Sequence, residues 1–287
     1  MKTTLHNLRH GLFSLIEGDF ISNYGRVYGE WSELEVRFFQ SILTATDNVI
    51  EVGSNIGMHA VPIAKHLTQG RLFCFEPQRI IFQQLCCNLA LNQLTNVHAY
   101  HAGVSDSQGS TQVQSSDYTT QWNYGAFSIN KGYSTEFEFT GDVHHENLNL
   151  IDLDSHPDLA NLPALKLLKI DAEGFDKNVL QGGVRLINRL KPIIFVEAHP
   201  HHSDELLVYF DSLDYQCYWF ISHRYQPDNF CGSPEFADFS GLDANFVCYH
   251  RSNLEAVPSY LVPVQPLSTY PKNEQGDSLL PLIINID

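Results

Sequence analysis

Two carboxylates bracketing a glycine-containing turn are the first residues here that could do chemistry. The segment Glu51-Val52-Gly53-Ser54-Asn55-Ile56-Gly57 leaves an apolar run and enters a helical one. A strand, a turn with glycines and a helix let a ligand approach the backbone closely and meet the helix N-terminus. In a dinucleotide site that ligand is a pyrophosphate, and the glycines follow G-x-G-x-x-G. Here the spacing differs, and Glu51 stands two positions before the first glycine. A carboxylate there repels a pyrophosphate but suits a cationic amino-acid head group, such as the α-ammonium of S-adenosyl-L-methionine. Glu76, followed by Pro77, closes the next apolar run about twenty residues on, where an acid can take ribose hydroxyls. Gly53 and Gly57 in a plain tight turn, with solvated acids, would explain either feature singly. Two acids at the ends of consecutive strands favour the cofactor.

Further acids arrive at the same edge. In open α/β sheets, ligands bind outside the carboxyl ends of the strands. One later strand ends Ile170-Asp171-Ala172-Glu173-Gly174, and the next ends Val196-Glu197-Ala198-His199. Methyl transfer needs positioning of a nucleophile and, for a hydroxyl, removal of its proton. Glu173 and His199 are the candidate bases. Asp171 is the candidate for orienting the acceptor or the methionine end of the donor. Helix capping would explain Asp171 and Glu173 as well. His199, His201 and His202 beside Glu197 raise metal ligation, but no full ligand set is fixed by spacing, and no metal is assigned. The polar, aromatic stretch Tyr118 to Tyr133 should fold over the cleft, with Trp122, Asn123 and Tyr124 touching the acceptor together with Glu197.

The elements that must position these residues are legible as alternating runs. Strands are expected at Val49–Val52, Leu72–Phe75, Val97–Tyr100, Leu165–Ile170 and Ile193–Val196, followed by an aromatic-rich pair at Tyr215–Ser222 and Asn245–His250. Helices should fill roughly 57–67, 78–93, 175–190 and 204–213. Near-continuous apolar strands separated by helices mean a parallel sheet covered on both faces. Pro62 lies beyond the expected first turn of its helix and should kink it. Residues 1–46 read as a helical extension, 47–251 as the cofactor-binding domain, and 252–287, with five prolines, as a tail or linker.

Composition narrows the partners. The 287 residues are 43% hydrophobic, and 33 acidic against 17 basic residues give a formal charge of −16, with no basic stripe for phosphates. Nucleic acid is therefore a poor partner, and a small-molecule, sugar or peptide-derived acceptor a better one. No run approaches the ~20 apolar residues of a membrane span, and the N-terminus does not read as a targeting signal. Six cysteines without a C-x-x-C pair read as reduced, mostly buried thiols of a cytoplasmic protein. A homo-oligomer is left open.

At this point the chain resembles the FkbM-type methyltransferases. The likeness runs from about Tyr28 to His250. It takes in Tyr28–Glu33, Glu51–Gly57, Phe75-Glu76-Pro77, Asn88–Asn96, Ala102–Asp106, Asn123-Tyr124-Gly125, Ile170–Gly174 and Pro192–Glu197. The resemblance implies a class I, Rossmann-like fold with a doubly wound, mostly parallel seven-stranded sheet, S-adenosyl-L-methionine as donor, and oxygen acceptors on sugars, polyketides or other natural products. It implies that Glu51, Gly53, Asn55 and Gly57 hold the methionine portion and Glu76 the ribose, with Gly103 and Val104 over the adenine. Ser54, Pro77 and Asp171 complete that set. The family more often has Asp at position 51, Ala at 54 and Glu at 176, and Pro62 and the histidine cluster are unusual. The expectation is O-methylation of a hydroxyl or carboxylate. A dinucleotide oxidoreductase lacks its glycine pattern here, and a silent cofactor-binding module would not need acids on four strand ends.

Overall fold

Apolar runs with almost no polar interruption can fold as strands only where both faces are covered, and that is their fate here. A computed structural model describes residues 1–133, 138–198, 203–264 and 284. The chain opens with β1 (Thr3–Leu8), β2 (Gly11–Ile16), α1 (Phe20–Tyr28) and α2 (Glu33–Ile42). Then come β3 (Asn48–Val52), α3 (Ala60–His66), β4 (Arg71–Glu76), α4 (Arg79–Leu91) and β5 (Val97–His101). An insertion holds β6 (Gly103–Val104), β7 (Gly109–Ser115), β8 (His144–Ile151) and α5 (Pro157–Ala160). The chain resumes with β9 (Leu167–Ile170), α6 (Asp176–Gly182), α7 (Val184–Leu190), β10 (Ile193–Glu197), α8 (Ser203–Ser212), β11 (Tyr215–His223), β12 (Leu242–His250) and β13 (Val262–Pro263).

The main sheet runs β13-β11-β12-β10-β9-β3-β4-β5. Pairing is parallel from β5 to β10, and β12, β11 and β13 add antiparallel neighbours. This is the Rossmann-like methyltransferase fold, with the expected seven strands and the short β13 at one edge. Alternate residues feed opposite layers: Val49, Leu72 and Leu167 enter one apolar cluster, and Ile50, Phe73 and Leu168 the other. The chain reverses direction through the sheet on either side of β3, which opens a crevice at the carboxyl ends of β3 and β9.

Three expectations are corrected. Residues 3–16 are an antiparallel hairpin, not helix; Leu8 pairs with Gly11 across a two-residue turn, and helices begin only at Phe20. Phe13, Leu15 and Ile16 are buried by this pairing. Pro62 kinks nothing, because α3 starts at Ala60 and Pro62 is its third residue. The missing N–H falls among the first four, which have no partner within a helix anyway. The expected helix 175–190 is two helices that meet at Gly183. The insertion forms a three-stranded sheet, β6-β8-β7. Cys74, Cys217 and Cys248 are buried thiols, whereas Cys87 and Cys231 are exposed.

Candidate active site

The turn after β3 is built by close backbone approach. Gly53 has φ +80°, and a Cβ there would lie 1.8 Å from the carbonyl oxygen of Asp171. The glycine is demanded by the protein's own neighbouring strand end. Its N–H and that of Ser54 both donate to the Phe75 carbonyl, at 2.9 and 3.1 Å. Asn55 takes φ +47° and donates its N–H to Glu76 Oε2 at 2.9 Å. The other Glu76 oxygen accepts from Gln78 N, also at 2.9 Å. Two backbone donors occupy only part of a carboxylate's lone-pair capacity. Burial pushes Glu76 up to about 8 against these two stabilising bonds.

A cavity of about 820 Å³ opens at these strand ends, within the usual range for small-molecule sites. It is lined by Glu51, Gly53, Ser54, Asn55, Glu76, Pro77, Gly103, Val104 and Asp171 of the expected donor set. Glu173, Glu197, Trp122 and Asn123 of the expected acceptor and catalytic sets join them. Two expected residues lie off this lining. Gly57, at φ +90°, serves the turn, its N–H donating to the Ser54 carbonyl at 2.9 Å. Tyr124 is fully buried, and its hydroxyl donates to the Thr120 carbonyl at 2.7 Å. His199 lies outside the described residues, as do His201 and His202.

Asp171, Glu173 and Glu197 are half-buried, and one carboxylate oxygen of each lies within 4.8 Å of the other two. Asp176, the first residue of α6, accepts the N–H groups of Ala172 and Gly174 at 3.1 and 3.2 Å, which folds the loop after β9 back onto the helix start. Trp122 forms an edge-on contact with Tyr133, its ring centroid 5.2 Å away. Its Nε1 is buried without a hydrogen-bond partner among the described residues. The Trp122 backbone exchanges hydrogen bonds with Gly18 and Phe20, which ties the 118–133 stretch to the N-terminal segment.

Sequence reasoning missed four further residues of the lining and their partners. Lys169, buried in β9, lies 3.4 Å from Asp171 Oδ2 and 3.7 Å from Glu51 Oε1. Its signal was a lone charge inside an apolar strand. Glu35 of α2 accepts from Asn245 Nδ2 at 3.0 Å, and burial pushes it up to about 8. His59 Nε2 sits 3.6 Å from Glu35 Oε2, and burial, then Lys169 and His10, hold this imidazole well below its ordinary value. Arg224 pairs with Asp243 at 2.6 Å and lies 5.6 Å from the Phe20 ring centroid and 5.3 Å from that of Trp31. Acids outnumber cations along the walls, and Lys169 and Arg224 are both engaged by acids.

The fold and this edge define a class I methyltransferase. The Methyltransferase FkbM domain matches residues 51–217, and the chain belongs to the FkbM methyltransferase family. The methyl donor is S-adenosyl-L-methionine, and the residues present fit it: one buried acid for an ammonium, another for hydroxyls, and the apolar side chains of Phe75 and Val104 for a base. The chain is 27% identical over 198 residues to methyltransferase sdnD of Sordaria araneosa, covering 58% of this chain and 74% of that protein. It is 26% identical over 185 residues to the 2-O-methyltransferase NoeI of Sinorhizobium fredii (strain NBRC 101917 / NGR234), covering 61% and 72%. The solved FkbM methyltransferase of Methylobacillus flagellatus KT aligns with a TM-score of 0.43 at 16% identity, covering 73% of this chain and 47% of that one. Among the described residues, no helix is long and apolar enough to cross a membrane.

Proposed function

We propose that this chain is an O-methyltransferase acting on a hydroxyl of a small natural-product, sugar or peptide-derived acceptor. The observation carrying this reading is the convergence of Asp171, Glu173 and Glu197 on the same cavity wall as the donor-type acids Glu51 and Glu76. S-adenosyl-L-methionine supplies an electrophilic methyl group on a sulfonium. In this reading Glu51 pairs with the donor's ammonium, Glu76 accepts from its ribose hydroxyls, and Gly103 and Val104 cover its adenine. Asp171 and Glu197 orient the acceptor, and Glu173 takes the proton from its hydroxyl. Trp122 and Asn123 wall the acceptor from water. The 2-O-methyltransferase named above supports an oxygen acceptor, and the preponderance of acids over cations disfavours an anionic acceptor by like-charge repulsion.

The test is kinetic. With an alcohol acceptor, Glu173→Gln should lower turnover at least about a hundredfold, the lower end for a positioned base, and leave donor affinity nearly unchanged. The wild-type rate should rise with pH through the pKa of the base. A flat profile with an unaffected variant would point to an acceptor that is ionised before it binds.

A further inference from the structure

A buried lysine stands where the donor-side acids meet. Lys169 is the third residue of β9, within an otherwise apolar strand, and is 2% exposed. Parallel pairing sets it directly beside Glu51 of β3, and Cys74 of β4 flanks Glu51 on the other side. The ammonium is 3.7 Å from Glu51 Oε1 and 3.4 Å from Asp171 Oδ2. Both separations exceed the ~2.7–2.9 Å of a charge-assisted hydrogen bond. Lys169 therefore supplies charge to Glu51 while leaving it lone pairs for another donor.

A carboxylate as deeply buried as Glu51 favours its protonated form, and a neutral acid forms no ion pair with an ammonium. Burial pushes Glu51 up, and Lys169 is the largest influence pulling it back. The dependence is mutual. Burial disfavours the lysine's charge, yet Asp171 and then Glu51 hold that charge more firmly than in water. Glu35, pushed up to about 8, keeps its proton near neutrality. Glu51, Asp171 and Lys169 then carry one net negative charge. S-adenosyl-L-methionine carries one net positive charge, from its sulfonium, ammonium and carboxylate, and its demethylated product carries none.

We propose that Lys169 is a positioning residue for the methyl donor, holding Glu51 as a carboxylate ready for the donor's α-ammonium. The proposal rests on the reading of Glu51 as the head-group partner. Without the lysine, burial drives Glu51 further toward its protonated form, and donor binding becomes pH-dependent in a way that a merely structural lysine would not produce.

Calorimetric titration of S-adenosyl-L-methionine into the full chain from about pH 6 to 9 tests this. Lys169→Met should weaken binding at least about tenfold at pH 6.5, the effect of one pKa unit on the ionised fraction. Its affinity should recover as pH rises, while Lys169→Arg keeps the wild-type profile. A Lys169→Met profile parallel to wild type, weakened or not, would overturn the proposal. Glu51→Gln separates the two readings. If that variant binds normally, the head-group role of Glu51 fails and Lys169 falls with it. If it binds weakly while Lys169→Met binds normally, only the lysine proposal fails. Should Lys169→Met not fold, ¹³C-carboxyl NMR of the wild type decides. A Glu51 carboxylate ionised at pH 7 supports the proposal, and a protonated one overturns it.

Discussion

Asn55 donates its backbone N–H to Glu76 Oε2 at 2.9 Å, so the turn after β3 and the end of β4 are one unit. A ligand gripped by Glu76 is therefore registered against the turn as well. Glu76→Ala removes a buried acceptor of two backbone N–H groups along with the proposed ribose contact. Donor affinity should fall by at least about 0.5–1.5 kcal/mol, the range for a hydrogen bond between neutral groups, because burial holds Glu76 up to about 8. Titration calorimetry with S-adenosyl-L-methionine reads this, and unchanged affinity would remove Glu76 from the donor site.

Gly53→Ala should be far worse than an ordinary glycine substitution. The new methyl would meet the Asp171 carbonyl oxygen at 1.8 Å, in a backbone conformation of φ +80° that alanine resists. Either the turn or the β9 end must move, and both carry donor-side acids. The melting temperature should drop and donor binding should be lost together. Gly232→Ala, at φ +63° but with nothing within 4 Å of a Cβ, is the control that carries only the backbone strain.

Glu35 and Glu76 give the ligand-free protein a pH signature. Burial raises both to about 8, above the ~4.3 of an exposed glutamate. Between those values the folded state binds more protons than the unfolded state, so stability falls as pH rises. The melting temperature should decline from about pH 5 to 8 and then flatten. Glu35→Gln and Glu76→Gln should each make the decline shallower. A wild-type melting temperature that climbs over this interval would contradict the protonation of these acids.

Trp122 and Tyr124 are two residues apart and differ in exposure to the cavity. Trp122 lines it, whereas Tyr124 packs away with its hydroxyl on Thr120. Trp122→Ala should raise the acceptor KM severalfold or more with little change in donor affinity. Tyr124→Phe should change neither constant, its cost appearing in stability. Steady-state kinetics against each substrate distinguishes these outcomes, and equal loss of donor and acceptor binding in Trp122→Ala would contradict an acceptor-facing role.

What could be read from the chain followed from burial on two sides. β3, β4, β9 and β10 are apolar at nearly every position because both faces are covered, so their ends, and Glu51, Glu76 and Glu197 upon them, were locatable. The hairpin was not, because β1 alternates Thr, Leu, His and Asn on a half-covered surface and gives little apolar signal. Glu35 reaches the site from α2 and His59 from the turn before α3, and packing sets the orientation of both. Lys169 was counted as part of a strand because its partners lie on a different strand and at the strand's own end. Tyr124 and Trp122 share one irregular segment, where no periodicity says which side chain turns inward.

The most direct measurement is incubation of the protein with methyl-labelled S-adenosyl-L-methionine and a panel of neutral alcohols, anionic acids and amines, with the labelled product identified by NMR. Transfer to a hydroxyl oxygen, giving a labelled methyl ether from a neutral acceptor and at least about a hundredfold less of it with Glu173→Gln, is the predicted result. Label appearing on nitrogen, on carbon or as a methyl ester of an anionic acceptor would contradict hydroxyl O-methylation by this site.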